Sequence, residues 1–314
     1  MLSLHFKSGS NRNPDLVAFG HILKQPFGVV AHELREEQIA LICAAKTHVF
    51  VDSGAFGEVD RRLNVVKPMS HPQWRQILAL YLRLARVLRE RLTIVAPDRV
   101  GDQVETLSRM SAYAEDIYEC VSLSSRALVP IQKGAFSMTE FYHYALEVLG
   151  ADDPLYVPAI PMKKDATSLA ELDQFVQEAQ PHEMHLLGIG PGNRKFADVK
   201  HICRSVPFTC DSNVLTAAVG RARSGARPLT RASDRAERYI NQLLGPKITR
   251  VGGVEMLLGG ASSECGDRFA ALANCYGASQ AYLDYVWPMR DPARLRQIKK
   301  TIAICDTFED RRLL

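Results

Sequence analysis

Three aspartates each end a short apolar run, and a carboxylate in that position is typical of the catalytic groups of α/β barrels. Asp52, Asp98 and Asp211 follow runs rich in aliphatic and aromatic residues, as expected for buried strands. Because the carboxyl ends of parallel strands meet at one end of a barrel, we expect the three carboxylates to form a single site.

Other polar groups at predicted strand ends indicate what this site could bind. Gln132 follows a fourth apolar run, and Gly188 and Gly190 follow a fifth. Carboxylates accept hydrogen bonds from ring N–H and amino groups, the amide donates to a carbonyl oxygen, and glycine backbone can contact a remaining edge. The set therefore suits a flat, polar heterocycle.

Paired carboxylates also suit glycosidic chemistry, in which one acts as a nucleophile and the other as an acid/base. Transition metals prefer His or Cys ligands, which these strand ends lack. Magnesium held by the three aspartates remains an alternative.

Composition limits the class of protein. The 314 residues fit one barrel of ordinary size or two smaller domains, and 46% hydrophobic with 24% charged residues is ordinary for a soluble protein. A net charge of +4 permits a polyanionic partner without requiring one. No run approaches the roughly 20 apolar residues of a membrane span, and the N-terminus lacks the apolar core of a signal peptide. We expect a cytoplasmic protein with no membrane partner.

Cysteine usage agrees with a reducing compartment. The seven cysteines are scattered, and no Cys-x-x-Cys or Cys-x-Cys pair occurs. This pattern predicts buried thiols rather than a disulfide framework or a compact zinc site.

Apolar runs alternate with amphipathic segments, which predicts βαβ units and a parallel sheet. The predicted strands are 2–6, 48–52, 92–97, 127–131, 155–159, 184–188 and 206–210, and the predicted helices are 34–46, 73–91, 103–121, 137–149, 168–179 and 195–203. Residues 249–256 are the candidate for an eighth strand. The prediction is an α/β fold: a TIM-type (β/α)8 barrel over 1–255, followed by a helical segment, 256–314, packed on the barrel.

A doubly wound sheet is the structural alternative, but it would carry a glycine-rich phosphate loop after its first strand. Residues 8–11 do not match that fingerprint. The stretch 188–193 resembles a phosphate loop, but it follows a late strand and contains Pro191. We interpret it as a barrel loop whose backbone approaches a ligand.

Four short motifs, taken in order and spacing, resemble the tRNA-guanine transglycosylase superfamily over about residues 45–215. They are Asp-Ser-Gly-Ala-Phe at 52–56, Gln-Lys-Gly at 132–134, Leu-Gly-Ile-Gly at 187–190 and Cys-Asp at 210–211. The chain is similar above all to the DNA-modifying branch, the DpdA-type enzymes that insert 7-deazaguanines into DNA. It is short, and Ala-Pro-Asp-Arg-Val-Gly-Asp at 96–102 has the character of that branch.

The chain departs from the tRNA enzymes at their zinc site. The superfamily's Cys-x-Cys-x2-Cys group with a distal His is missing, and only Cys265, Cys275 and Cys305 follow Asp211. We expect metal-free packing in place of a zinc subdomain, with no cofactor.

The resemblance implies a DNA-guanine transglycosylase that exchanges guanine for a 7-deazaguanine base through a covalent aspartyl-glycosyl intermediate. It makes Asp211 the nucleophile and Asp52 the acid/base. It also implies that residues at the strand ends and beside them bind the base: Asp98, Gln132, Gly188, Gly190 and Ser53. Asp102 is a second candidate for reading the edge of the base. Phe56 is either a stacking residue or a core residue.

The implied partners are DNA and a free 7-deazaguanine base. A base inside a duplex cannot be reached, so the target nucleotide must be flipped out or already single-stranded. The arginine-rich segment after residue 220, otherwise a solvated basic face, then becomes a candidate for phosphate binding. Its proposed contacts are Arg221, Arg223, Arg235, Arg238 and Arg250. The alternatives are the same reaction on tRNA, a catalytically inactive barrel that binds nucleic acid, and a magnesium-dependent lyase or hydrolase.

Overall fold

The protein is described from a computed structural model, which covers residues 2–11, 16, 19–20, 24–60, 62–151, 153–163, 166–191 and 193–213. Eight parallel strands form a closed barrel in sequence order, and the last strand pairs with the first. The strands are β1 (Leu2–Lys7), β2 (Phe27–Val30), β3 (Val49–Asp52), β4 (Leu92–Val95), β5 (Arg126–Pro130), β6 (Tyr156–Pro161), β7 (Met184–Leu187) and β8 (Phe208–Ser212). The predicted (β/α)8 barrel is confirmed.

Helices lie between successive strands from β2 onward. They are α1 (Glu36–Cys43), α2 (His71–Leu88), α3 (Gln103–Ala112), α4 (Ala114–Ser122), α5 (Met138–Leu149), α6 (Leu169–Ala179) and α7 (Phe196–Ile202). Two of them start at Ser-x-x-Glu capping boxes: the hydroxyl of Ser137 accepts from the backbone N–H of Glu140, and that of Ser168 accepts from Glu171. These caps explain why the predicted starts of α5 and α6 agree with the structure to within one residue.

The structure corrects two predictions about the elements. The strand missing from the sequence prediction is β2, so the barrel closes at Ser212 and the assignment of 249–256 as its eighth strand was wrong. The predicted helix over 103–121 is two helices separated at Tyr113, whose hydroxyl lies 2.7 Å from Nδ1 of His71 at the start of α2. That contact with a neighbouring helix coincides with the break.

The apolar side chains form two separate layers. One layer packs the helices against the outside of the barrel, and α2 contributes Trp74, Ile77 and Tyr81 to it. The other layer fills the inside of the barrel and consists of Phe6, Phe50, Val95, Leu128, Val157 and Ala159. We call this inner layer the barrel plug.

Several predictions fall on residues 214–314, outside the described part of the chain. They concern the boundary at residue 255, the helical segment 256–314 and the two groups of side chains proposed after residue 214: Arg221, Arg223, Arg235, Arg238 and Arg250, and Cys265, Cys275 and Cys305. Within the described residues, no helix combines the length and the apolar character that a membrane span needs.

Candidate functional site

The structure brings the three aspartates together at the carboxyl end of the barrel. Asp52 is the last residue of β3, Asp211 lies near the end of β8, and Asp98 lies in the loop after β4. The charge of Asp211 raises the pKa of Asp52, and the charge of Asp52 raises the pKa of Asp98, because like charges disfavour ionisation. The three side chains therefore form one electrostatically coupled cluster.

Asp211 is held by two hydrogen-bond donors and has a histidine nearby. The hydroxyl of Ser8 donates to Oδ2 at 2.7 Å, and the backbone N–H of Gly188 donates to Oδ1 at 2.7 Å. Nε2 of His185 lies 3.4 Å from Oδ1, within ion-pair distance but outside hydrogen-bond geometry. Burial alone would raise the pKa of Asp211, but His185, Gly188 and Ser8 together lower it below its usual value. This carboxylate is kept ionised.

Asp52 has the opposite electrostatics. Burial raises the pKa of its carboxyl, and the neighbouring charge of Asp211 raises it further, against a hydrogen bond of 2.7 Å that Oδ1 accepts from the N–H of Gly54. The turn that supplies this N–H requires glycine, because Gly54 has a φ of +85° and a Cβ there would collide with the imidazole of His32. Asp52 is therefore suited to carrying a proton.

Asp98 and Gln132 form a hydrogen-bonded pair. Nε2 of Gln132 donates to Oδ2 of Asp98 at 3.0 Å, and Oε1 of Gln132 accepts from the N–H of Gly101 at 2.8 Å. Burial, followed by the charge of Asp52, raises the pKa of Asp98 to about 7. Near neutral pH this carboxyl can accept a hydrogen bond or donate one.

Two other residues predicted for the site, Phe56 and Ser53, differ in how far they are exposed to solvent. Phe56 is 59% exposed, which excludes a core role, and Nζ of Lys163 lies 5.2 Å from the centre of its ring. Ser53 is buried, and its hydroxyl accepts from the N–H of Ala55 within the same turn. Phe56 alone of these offers an open surface on which a base could stack.

Three further predicted residues have structural contacts in this region. Gly188 is part of the cradle around Asp211 through its N–H. Gly190 lies against Ser212, the residue after Asp211 in β8, since a Cβ on Gly190 would come within 2.5 Å of the Ser212 hydroxyl. Asp102 is exposed and caps α3 by accepting from the N–H of Glu105 at 3.0 Å. That cap occupies the Asp102 carboxylate, so Asp98 is the better placed of the two candidates for reading the base.

Sequence reasoning missed a buried ionic cluster behind Asp98. The Glu58 carboxylate lies 2.8 Å from Nε of Arg99 and 3.0 Å from Nη1 of Arg109. Arg109 also donates to the carbonyl oxygen of Asp98 at 2.6 Å and to Glu105 at 2.8 Å. The cluster fixes the loops after β3 and β4 to each other. Its only sequence signal was the proximity of Glu58 and Arg99 to two of the aspartates.

Ser8 and His185 were also missed. Ser8 directly follows β1, and His185 lies in the middle of β7 with its Nδ1 2.6 Å from the hydroxyl of Thr209. Ser8 reaches Asp211 because the barrel closes between β8 and β1, and His185 reaches it across the β7–β8 pair, so no local pattern marks either residue.

A groove of about 550 Å³ lies beside the site rather than over it. Its walls come from the loop after β3, from α1 and from α2, and include His32, Gly54, Met69 and Ile77. None of the described residues that line it is an aspartate. In the described ranges, no group of three or more His, Cys, Asp or Glu side chains could hold a metal ion. These residues therefore offer no ligand set for the magnesium alternative.

No protein-family profile and no curated protein sequence matches the chain. Among solved structures, the chain is similar to the crystal structure of a "putative fructose-1,6-biphosphate aldolase" from Coccidioides immitis, at 9% sequence identity over 88% of each chain and with a TM-score of 0.43. A likeness at this level carries no argument about activity.

The cradle of Asp211 yields a prediction for pH dependence. Ser8→Ala removes a donor to the carboxylate, so the pKa of Asp211 should rise and the acid limb of the pH profile of kcat/KM should move to higher pH. Activity at pH values well above that limb should change little by comparison. An unchanged acid limb would show that the limb belongs to another group. The profile would be measured with the base-exchange assay described below.

Proposed function

We propose that the chain is a DNA-guanine transglycosylase, which replaces guanine in DNA by a 7-deazaguanine base. The main support is the opposite pKa shift of two neighbouring carboxyls, lowered at Asp211 and raised at Asp52. A retaining exchange needs one carboxylate that stays ionised as nucleophile and one carboxyl that carries a proton. The aspartates to which the resemblance assigns these roles have the matching electrostatics.

In the first step of the proposed reaction, Asp211 attacks C1′ of the target nucleotide. The bond from C1′ to the base nitrogen breaks, its electron pair stays with guanine, and Asp52 supplies the proton that neutralises the leaving base. The product is a glycosyl ester on Asp211. Ser8 and the N–H of Gly188 contact the carboxylate oxygens and would orient them for the attack.

The second step reverses the first with a different base. A free 7-deazaguanine occupies the place that guanine has left, its ring nitrogen attacks C1′, and the ester bond to Asp211 breaks. Asp52 takes the proton that the incoming nitrogen loses, which restores both carboxyls to their starting states. The cycle balances without an oxidant, a reductant or a metal.

Base recognition would fall to Asp98 and Gln132. The carboxyl of Asp98, with a pKa of about 7, can match either a donor or an acceptor on the base edge. The amide of Gln132 is oriented by Gly101 on one side and Asp98 on the other. Phe56, which follows Asp52 by four positions and is 59% exposed, offers a surface for stacking.

The choice of DNA over tRNA rests on the resemblance and on the missing zinc motif, and a base-exchange assay tests it. Purified full-length protein is incubated with radiolabelled guanine and, in parallel, with guanine-containing DNA or unmodified tRNA. We expect label to enter DNA, and a cold 7-deazaguanine base to displace it. Label entering tRNA alone would favour the tRNA alternative. Label in neither polymer would overturn the proposal.

A further inference from the structure

The loop that follows Asp52 contains a small hairpin. The segment 53–70 between β3 and α2 is longer than the strand-to-helix loops at 96–102, 131–137 and 188–195. Within it, Val59 pairs with Val65 in antiparallel fashion, and Oδ1 of Asp60 accepts from the backbone N–H groups of Arg62 and Asn64. We call residues 58–67 the rim hairpin.

The rim hairpin presents apolar side chains to solvent. Leu63 is 51% exposed, Val65 51% and Val66 61%. Isolated exposed apolar residues are ordinary, whereas three within four positions on one turn form a patch, and such patches mark interaction sites.

The hairpin is anchored firmly to the barrel. The carbonyl oxygen of Glu58 accepts from the N–H groups of Val66 and Lys67 at 2.8 and 3.1 Å. The carboxylate of Glu58 is buried between Arg99 and Arg109. The lower part of the hairpin is therefore fixed to the barrel and holds the exposed tip in place. A side chain that inserts into a partner needs such support.

The tip lies next to the residues proposed to read the base. Leu63 packs against Gly101, where an added Cβ would lie 3.1 Å from Leu63 Cδ1. Gly101 in turn donates to Gln132, which donates to Asp98. The tip is therefore linked through Gly101 to the residues proposed to read the base.

Leu63 also has an unusual backbone conformation. Its φ is +65°, in the left-handed region that glycine and asparagine adopt far more readily than leucine. A large apolar side chain at a position suited to glycine or asparagine contributes little to the stability of the turn. This agrees with a role for the side chain in binding a partner.

We propose that the rim hairpin is an apolar wedge that enters the DNA base stack and fills the gap left by the flipped guanine. This inference rests on the proposed function. Enzymes that act on a base take it out of the stack, and proteins that bend or open DNA insert apolar side chains between base steps. Arg62 and Lys67, exposed at the two sides of the apolar tip, make no ion pair with a described residue and are placed to meet backbone phosphates.

A second copy of the chain fits the same patch less well. A two-fold interface brings the same surface of each copy together, so Arg62 and Lys67 would meet their own counterparts. DNA carries the opposite charge, which favours it as the occupant.

The test compares duplex and single-stranded DNA of the same sequence in the base-exchange assay. Leu63→Asn removes the apolar side chain and keeps a residue that accepts the left-handed conformation, and Val66→Thr keeps the shape of its side chain. We expect the double variant to lose about tenfold or more of its exchange on duplex DNA, because it no longer offsets the cost of unstacking. Exchange on single-stranded DNA should be unchanged.

Two matched controls separate the wedge from a general loss of apolar surface. Leu63→Met keeps an apolar side chain at the tip and should retain activity on duplex DNA. Tyr118→Asn removes an apolar side chain that is 62% exposed on α4, and it should affect neither substrate. Equal losses on both substrates, or no loss on either, would overturn the wedge.

A second readout needs no turnover. 2-Aminopurine placed beside the target guanine in a duplex becomes more fluorescent when it is unstacked. Wild-type protein should raise this signal and the double variant should not; a signal that both raise equally would contradict the wedge. If the wild type raises the signal but exchanges no base, the wedge stands and the proposed function fails. If ultracentrifugation shows a wild-type dimer that the double variant dissociates, the patch joins two copies and the wedge is overturned.

Discussion

Asp211→Asn is expected to abolish base exchange and the covalent adduct together. An amide is a poor nucleophile and cannot form the glycosyl ester on which the retaining path depends. The amide oxygen can accept from the N–H of Gly188 in place of Oδ1, and the amide NH2 can donate to the hydroxyl of Ser8 in place of Oδ2, so the fold should survive. Denaturing gels after incubation with substrate DNA would show a shifted band for the wild type and none for the variant.

Asp153→Asn is a matched control for this substitution. Asp153 is exposed before β6, at the opposite end of the barrel, and its side chain accepts from the N–H of Leu155 at 2.8 Å. The same chemical change there should leave exchange and adduct intact. Near-normal exchange by Asp211→Asn would place the nucleophile elsewhere and remove the main support for a transglycosylase.

Asp52→Asn is expected to slow exchange by roughly 10²–10⁴-fold, the usual contribution of a general acid/base. The side-chain oxygen of Asn can still accept from the N–H of Gly54, so the turn after β3 should persist. With Asp211 intact the variant can still form the glycosyl ester, slowly, because guanine must leave without a proton from the enzyme. Single-turnover time courses would measure the slow appearance of the adduct on a denaturing gel.

The two variants should therefore differ in kind as well as in degree. Asp52→Asn should build up an adduct over long incubation, and Asp211→Asn should never build one. Wild-type rates in the Asp52→Asn variant would mean that another group transfers the proton, such as Asp98, whose pKa is raised to about 7. An equal and complete loss of adduct in both variants would contradict the assigned roles.

The sequence allowed most of the barrel to be predicted, since strands buried on both faces form continuous apolar runs. β2 escaped prediction because Gly28 interrupts the short apolar run of Phe27–Val30. That glycine is required by the tertiary structure: a Cβ on it would come within 2.8 Å of the ring of Phe50. Such a requirement arises only when neighbouring strands meet, so it leaves no periodic pattern.

The site could be predicted only as far as its strand ends. Asp52, Asp98 and Asp211 stand out because each directly follows its own apolar run. The resemblance implies which of Asp52 and Asp211 carries the proton, but the local sequence does not show it, because the lowered pKa of Asp211 depends on Ser8 and His185, which lie elsewhere in the chain. Burial and hydrogen bonding across the barrel determine which carboxyl is ionised, and neither is encoded in local spacing.

The barrel plug has a consequence for the balance between transfer and hydrolysis. Phe6, Phe50 and Val95 fill the interior below the aspartates, and the rings of Phe50 and His185 stack at 5.2 Å. Within the described residues this layer fills the barrel interior, so under the proposed function water would approach the glycosyl ester from the same side as the base. Under the proposed function, free base and water compete for one opening, so the concentration of free base decides whether a turnover ends in a modified nucleotide or in an abasic one.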